Sequence, residues 1–462
     1  MKKLLILLFF FHLVILQSSY CQIPNSISVE DKILGISKFW SEASYNFPYF
    51  NFLTEVNLDS VYQQSVKEIL ETKNDYEYYQ VLKKFAATLR DNHTWIQPPD
   101  YLSSYYTYNE FGDYLLTIER IDGKAIITHT CFNHQDFLPL MSEIIEVDSV
   151  EVNIYLKSKI YPYVNSSSDY SLERIGTQYL LQGVKGTSVL IKFKTPEGAI
   201  NTVRLKRESS GCEAFYPGIK SSEFFQEIDK DIVCLTIDGF SDRSIVDSLV
   251  SRLPEIRKAK GLIIDIRQNG GGSSYIAGKI AQYFVADSTL YGSKGKTRKN
   301  IGYSRYWGFR VKSQTDTIGN KALADCYLMA KNIMLEDLNQ NSIKNSIKPE
   351  EKILIPTVVL TSYMNASASE EFLLFLDSQK HIKFAGERTS GGNGQPLVFS
   401  MPGGGTAAVC TQYCYRPDGR DYYREGIKPD FEVIQTLGDF SNGIDTVKKF
   451  ALHYLVEILE KK

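Results

Sequence analysis

From about residue 28 to 90 the apolar positions recur at helical spacing. Tyr78, Val81, Leu82, Phe85 and Leu89 fall on one face, with Lys83, Lys84 and Arg90 among the polar positions. Asn74 or Asp75 suits the N-cap of this helix, and the polar turn Arg90-Asp91-Asn92 should end it. His93 is thereby left just beyond a helix and ahead of Pro98-Pro99. From 101 to 206 the pattern shortens. Apolar runs at Tyr114–Ile118, Ala125–Thr128, Ile144–Val147, Val189–Phe193 and Thr202–Leu205 alternate with turn signals such as Asp122-Gly123. They predict a small β-rich module with a helical insert near 151–183.

Beyond about 225 strands alternate with helices. Ile232–Ile237, Leu262–Ile266 and Thr357–Thr361 are nearly continuous apolar runs, as in a sheet covered on both faces. Helical patterns follow at Ser274–Phe284 and Ser369–Leu376. The alternation predicts an α/β core over 225–440, with a polar insertion at about 293–350.

The first residues change where the chain is expected to work. Lys2 and Lys3 precede an apolar run, Leu4–Leu16, broken only by His12, and Ser18-Ser19-Tyr20-Cys21 follows. This reads as a signal peptide over 1–21 with cleavage after Cys21. A lipid anchor on Cys21 is the alternative. The run is too short for a transmembrane helix. The expectation is an exported protein that is periplasmic, secreted or associated with the cell envelope.

The net charge is −2 over 462 residues, and no long basic run appears. Nucleic-acid binding therefore has no electrostatic footprint. Export would permit disulfides, with the pairing open, but Cys131, Cys212, Cys234, Cys326, Cys410 and Cys414 are widely spaced and read as free or buried thiols. Cys410-x-x-x-Cys414 lacks the second pair that a zinc site needs. No cofactor or metal is expected, and the oligomeric state is open.

Four segments could carry chemistry. In Asp265-Ile-Arg-Gln-Asn-Gly270-Gly271-Gly272, glycines mark the turn from a buried strand into a helix. Their N–H groups could hold an oxyanion. Asn365-Ala-Ser367-Ala368-Ser-Glu370 follows another apolar strand. Ser367-x-x-Glu370 fits a capping box, the structural reading. The chemical reading makes Ser367 a nucleophile at the helix start, with the Ala368 N–H beside it. Asp91-Asn92-His93-Thr94 supplies an imidazole, the base a serine nucleophile needs near neutral pH. Arg424-Glu425-Gly426-Ile427-Lys428-Pro429-Asp430 supplies a carboxylate that could orient it.

Taken together and in order, these segments resemble the D-x-H-T, D-[IL]-R-x-N-x-G-G, S-A-S-E and G-[IV]-x-P-D motifs of the tail-specific and tricorn-type serine peptidases. Ser142–Ser149 parallels the turn motif of that family's PDZ-like domain, with Ser in place of Gly at both ends. The resemblance implies a crotonase-like (ClpP-like) protease core, an N-terminal helical segment over 28–100 and a PDZ-like domain over 101–206.

One departure selects a catalytic style. Where the processing branch carries G-E-x-T-x-G-K with a catalytic Lys, this chain reads Gly386-Glu-Arg-Thr-Ser-Gly391-Gly392. Lys380 and Lys383 lie outside the motif. The tricorn-like style is therefore implied, with Ser367 as nucleophile, His93 as base, Glu425 as its orienter, and Gly270, Gly271 and Ala368 at the oxyanion. Tricorn has a Ser before its His, and here Asn92 stands there. The implied substrate is a peptide or protein, cut internally or at its C-terminus. A ligand-binding member of the same fold and an esterase are the rival readings.

Overall fold

The computed structural model describes residues 23–131, 137–212, 214–215 and 223–461. The expected leader with Cys21 lies outside these residues. Among them, no helix is long and apolar enough to cross a membrane.

A six-stranded sheet forms the core. Ile232–Thr236, Gly261–Asp265, Thr357–Thr361, Ile382–Gly386 and Phe431–Glu432 run parallel in that spatial order, and Phe225–Asp229 closes one edge antiparallel. Every residue of the three central strands is buried, which is why their sequences read as unbroken apolar runs. Val233, Leu235, Leu262, Ile264 and Val359 face one layer, containing Leu249, Ile280, Phe372 and Phe375 from the crossover helices. Ile232, Cys234, Ile263, Val358 and Leu360 face the other, packed by Val447, Ala451 and Leu455 of the helix Thr446–Glu460.

The expected helices form, with shifted ends. Asp75–Ala87 starts at Asn74, whose side chain accepts the Glu77 N–H at 2.9 Å, and stops short of Arg90, which takes φ 51°. This helix packs with Val29–Asn46 and Leu58–Leu70 around an apolar core that also holds Met401, Ala407, Val409, Cys410 and Tyr423. The N-terminal helices thus share a core with residues more than 300 positions away in the chain, and that sharing carries the His93 loop to the α/β layer. Immediately after the loop, Trp95–Gln97 pairs antiparallel with Thr406–Cys410.

The β-rich module is an antiparallel arrangement of Lys124–Cys131, Glu143–Val147, Ser188–Lys194 and Ile200–Lys206 with its own core. It carries the helix Asp169–Gln178. One cysteine expectation is corrected here. Cys131, at the end of its strand, is disulfide-bonded to Cys212 across 81 residues, with 5.8 Å between Cα atoms. Cys234, Cys326, Cys410 and Cys414 are free thiols. The polar stretch 293–350 is stitched into the fold, because Lys294–Arg298 pairs with both Leu335–Leu338 and Gln412–Tyr415.

Candidate active site

Ser367 occupies the turn between the strand Thr357–Thr361 and the helix Ala368–Leu376. Its backbone takes φ 56° and ψ −125°, a conformation that costs an L-residue free energy and needs surrounding structure to hold it. That structure is present. Asn365 is buried; its Oδ1 accepts the Ser362 N–H at 2.7 Å and its Nδ2 donates to the carbonyls of Ile266 and Asn269. The Ser390 N–H donates to the Asn365 carbonyl at 2.8 Å, and the Ser367 N–H to that of Gly392 at 3.0 Å. Two loops, Ile266–Asn269 and Ser390–Gly392, are therefore pinned to the turn that displays Ser367.

The capping reading of Ser367 is overturned. Its side chain makes no cap hydrogen bond. Glu370 turns away, and its Oε1 accepts from Thr389 Oγ1 at 2.5 Å and from the Gly391 N–H at 2.8 Å. Burial pushes the Glu370 carboxyl up to about 7.

The glycine turn lies against the serine. A β-carbon on Gly271 (φ 115°) would stand 2.8 Å from the Ala366 carbonyl oxygen and 2.9 Å from Ser367 Cβ. Asn269 holds this turn by donating to the Ile237 carbonyl at 3.0 Å and accepting the Gly271 N–H at 2.9 Å. The Gly271 N–H is thus engaged. Among the described residues no acceptor in the chain takes the N–H of Gly270 or of Ala368. Asn269 and Asn365 were not singled out as site residues from the sequence, although both sit inside its motifs.

His93 is buried in the loop after the first helical segment, and burial pushes its imidazole down to about 4. Nδ1 lies 2.9 Å from Asn92 Oδ1. The Asn92 N–H donates to Ser167 Oγ at 3.1 Å and its Nδ2 to Ser390 Oγ at 2.9 Å. Asp91, also buried, accepts from Thr94 Oγ1 at 2.7 Å, and desolvation raises its carboxyl to about 7. Tyr423 Oη donates to the Arg90 carbonyl at 2.8 Å, and the Cys410 N–H to Thr94 Oγ1 at 3.0 Å, fixing both ends of the loop.

The His93 loop and the Ser367 turn meet at Gly392. Its carbonyl accepts from Ser367, while a β-carbon on it would overlap Asn92 Oδ1 and Ser167 Oγ. No hydrogen bond joins Ser367 Oγ to His93 in this structure. Glu425 belongs to a loop that packs on the same glycine pair, with the Arg424 N–H donating to Gly391 O at 3.3 Å. The Glu425 side chain is exposed and, among the described residues, forms no hydrogen bond or ion pair. Also among the described residues, no three His, Cys, Asp or Glu side chains gather as a metal site.

Residues 231–433, which hold the five parallel strands of the sheet, the glycine turn, Ser367 and Glu425, match the family model described as Peptidase family S41. Over this segment the chain is similar to peptidase family S41. A curated relative is similar in sequence: the carboxy-terminal processing protease CtpA of Bacillus subtilis (strain 168), 24% identical over 267 residues. The match covers 57% of this chain and 46% of that protein, so the chain spans about half the length of this curated relative.

Solved structures extend the likeness to the whole fold. The crystal structure of mature CPAF is 16% identical, with a TM-score of 0.67 over 93% of this chain and 96% of that one. The mature CPAF complex with lactacystin gives a TM-score of 0.65 at 16% identity, over 93% and 97% of the two chains. At this identity the likeness establishes a shared fold, an α/β protease architecture of mixed helices and sheets that takes in the N-terminal helices and the β module as well as the S41 segment.

Proposed function

We propose that the chain is a serine peptidase in which Ser367 is the nucleophile and His93 the general base. The observation that carries this reading is the backbone of Ser367. A non-glycine residue held at φ 56° on a strand-to-helix turn, with its hydroxyl free of any cap bond, suits presentation to a substrate rather than helix capping.

In the proposed reaction Ser367 Oγ attacks a peptide carbonyl carbon and His93 Nε2 takes the hydroxyl proton. The oxyanion is received by the N–H groups of Ala368 and Gly270. Gly271 keeps a packing role, since its N–H already serves Asn269. His93 then gives its proton to the departing amine, the C–N bond breaks, and an acyl ester on Ser367 remains. Water, deprotonated by His93, releases the acid and restores the serine. Glu425 is assigned the part of an acidic counter-charge to the imidazolium. The Ser-His style, rather than Ser-Lys, fits the crowding at Gly392.

The finer architecture belongs to the same proposal. The core is read as crotonase-like and the β module as PDZ-like, which would present a peptide C-terminus to the site. The leader reading makes the protein exported, with lipid attachment at Cys21 as the alternative. A peptide or protein is the substrate class.

The test is covalent labelling by a fluorophosphonate. Wild-type protein should label and Ser367→Ala should not, with turnover of peptide substrates falling roughly 10⁶-fold in the variant. Labelling that persists in Ser367→Ala would refute the assignment. Stable peptide capture without turnover would favour a binding protein, and ester-only turnover an esterase.

A further inference from the structure

The carboxylate that the sequence pattern offers as orienter of His93 does not hold it. The Glu425 side chain is exposed and, among the described residues, forms no hydrogen bond, while His93 Nδ1 is 2.9 Å from the side-chain oxygen of its own neighbour, Asn92. We propose that Asn92 is the positioning residue of His93, so that the site works as Ser367–His93–Asn92 with a neutral amide in the orienting place. This rests on the peptidase reading above for its catalytic meaning, though not for its geometry.

The direction of the Asn92 amide follows from its surroundings. Ser167 Oγ accepts the Asn92 N–H at 3.1 Å, and its hydroxyl proton has two acceptors in reach, Asn92 Oδ1 at 3.2 Å and, longer, Asp91 Oδ1 at 3.5 Å. On the other side the Asn92 amino group meets Ser390 Oγ at 2.9 Å, and Ser390 is fixed in turn through its N–H to the Asn365 carbonyl at 2.8 Å. The amide oxygen thus faces both Ser167 and the imidazole. An amide oxygen can only accept, so Nδ1 must carry the ring proton. Nε2 then presents its lone pair, the form a general base requires.

Gly392 completes the clamp from below. No side chain fits there without displacing Asn92 or Ser167. The residue that rules out a lysine dyad is therefore the one that makes room for the amide. Two segments distant in sequence, Ser166–Ser168 and Ser390–Gly392, converge on this one side chain in the loop after Asp75–Ala87. A solvated turn residue would need none of them.

The neutral orienter has a chemical signature. Burial alone acts on the His93 imidazole, and no charged group from the Ser390–Gly392 segment, the Ser166–Ser168 segment or the strand Thr406–Cys410 raises it. Asp91, on the same loop, accepts from the Thr94 and Ser167 hydroxyls rather than facing the ring. Placing a carboxylate at position 92 would put a counter-charge in direct contact with the ring and raise the imidazole.

The experiment records the ring nitrogens of His93 by ¹⁵N NMR in the full chain, alongside fluorophosphonate labelling rate against pH. Wild type should show the proton fixed on Nδ1. Asn92→Ala should lose that fixed tautomer and label about 100-fold more slowly. Asn92→Asp should restore the tautomer and move the acidic limb of the labelling profile up by about one unit or more. Glu425→Gln should keep the wild-type tautomer. The proposal is overturned if Asn92→Ala retains both the Nδ1 proton and a rate within about threefold of wild type, or if Glu425→Gln is the variant that frees the ring. A chain that never labels, yet whose His93 tautomer follows Asn92, would refute the peptidase reading and uphold the positioning role.

Discussion

Gly392 lies so close beneath Asn92 that a β-carbon on it would overlap the Asn92 amide oxygen. The same residue accepts the Ser367 N–H at 3.0 Å, so it couples the nucleophile turn to the histidine loop. Gly392→Ala should therefore push Asn92 off His93 and slow fluorophosphonate labelling by about 100-fold, the range expected when a general base is misaligned. Gly392→Lys, which restores the residue of the lysine-dependent style, should be as inactive and gain no high-pH activity from a new base. An active Gly392→Lys enzyme with a lysine-like pH limb would show that the loops can part and that the crowding does not select the mechanism.

Gly271 tests the oxyanion turn apart from the base. Its φ of 115° is strained for any L side chain, and a methyl group would press on Ser367 Cβ and the Ala366 carbonyl. Gly271→Ala should displace the Ser367 turn and cost at least as much as losing one oxyanion donor, about 3–4 kcal/mol in kcat/KM. Steady-state kinetics on a peptide substrate measures it, and the His93 tautomer should not change. Wild-type kcat/KM in Gly271→Ala would mean that the turn does not support the nucleophile.

What the sequence discloses follows from how local each feature is. The strands at Ile232, Leu262 and Thr357 are legible because burial on both faces leaves polar residues only at their ends. The turn at Ser367 is legible because strand, small residues and helix succeed one another within ten positions. Its backbone strain is not, since it depends on Asn365, Ser390 and Gly392 together. The helix Asp75–Ala87 ends early because Arg90 turns left-handed and presents its carbonyl to Tyr423, 333 residues on. The sequence pattern offers a carboxylate, Glu425, as the partner of His93. The amide that reaches it is adjacent in sequence but is fixed by Ser167 and Ser390, residues that no spacing rule connects. The Cys131–Cys212 bond was hidden for the same reason.

Arg267 illustrates a motif residue whose work is architectural. Its guanidinium spans Asp265, at 2.6 and 2.9 Å, and Asp445, at 2.6 and 2.8 Å, tying the end of a central strand to the start of the helix Thr446–Glu460. All three side chains are largely buried, and the two aspartates would be left facing each other without it. Arg267→Met should destabilise the protein by about 3–5 kcal/mol, the cost of uncompensated buried charge. Urea denaturation measures this. Arg267→Met combined with Asp265→Asn and Asp445→Asn should recover much of the loss. A single variant within about 0.5 kcal/mol of wild type would remove the ion pairs from the stability of the fold.

Glu370 gives the stability a pH dependence whose sign can be stated. Its carboxyl is buried behind the nucleophile turn, accepts from Thr389 and Gly391, and leaves Oε2 without a partner. Burial raises it to about 7, against an ordinary value near 4.5. Between those two values the native state keeps a proton that the unfolded chain has released. Stability from this group is therefore full below about pH 4.5 and falls as pH rises towards 7. Asp91, also raised to about 7 by burial, adds a fall of the same sign. Glu370→Gln keeps an acceptor for Thr389 and Gly391 but has no proton to lose. Its stability should decline less steeply from pH 5 to pH 8 than that of wild type, by up to about 3 kcal/mol over the interval. Denaturation midpoints across that range decide the matter. Parallel curves for the two proteins would mean that Glu370 ionises in the native state as freely as in the unfolded chain, and that the turn behind Ser367 is wetter than its packing implies.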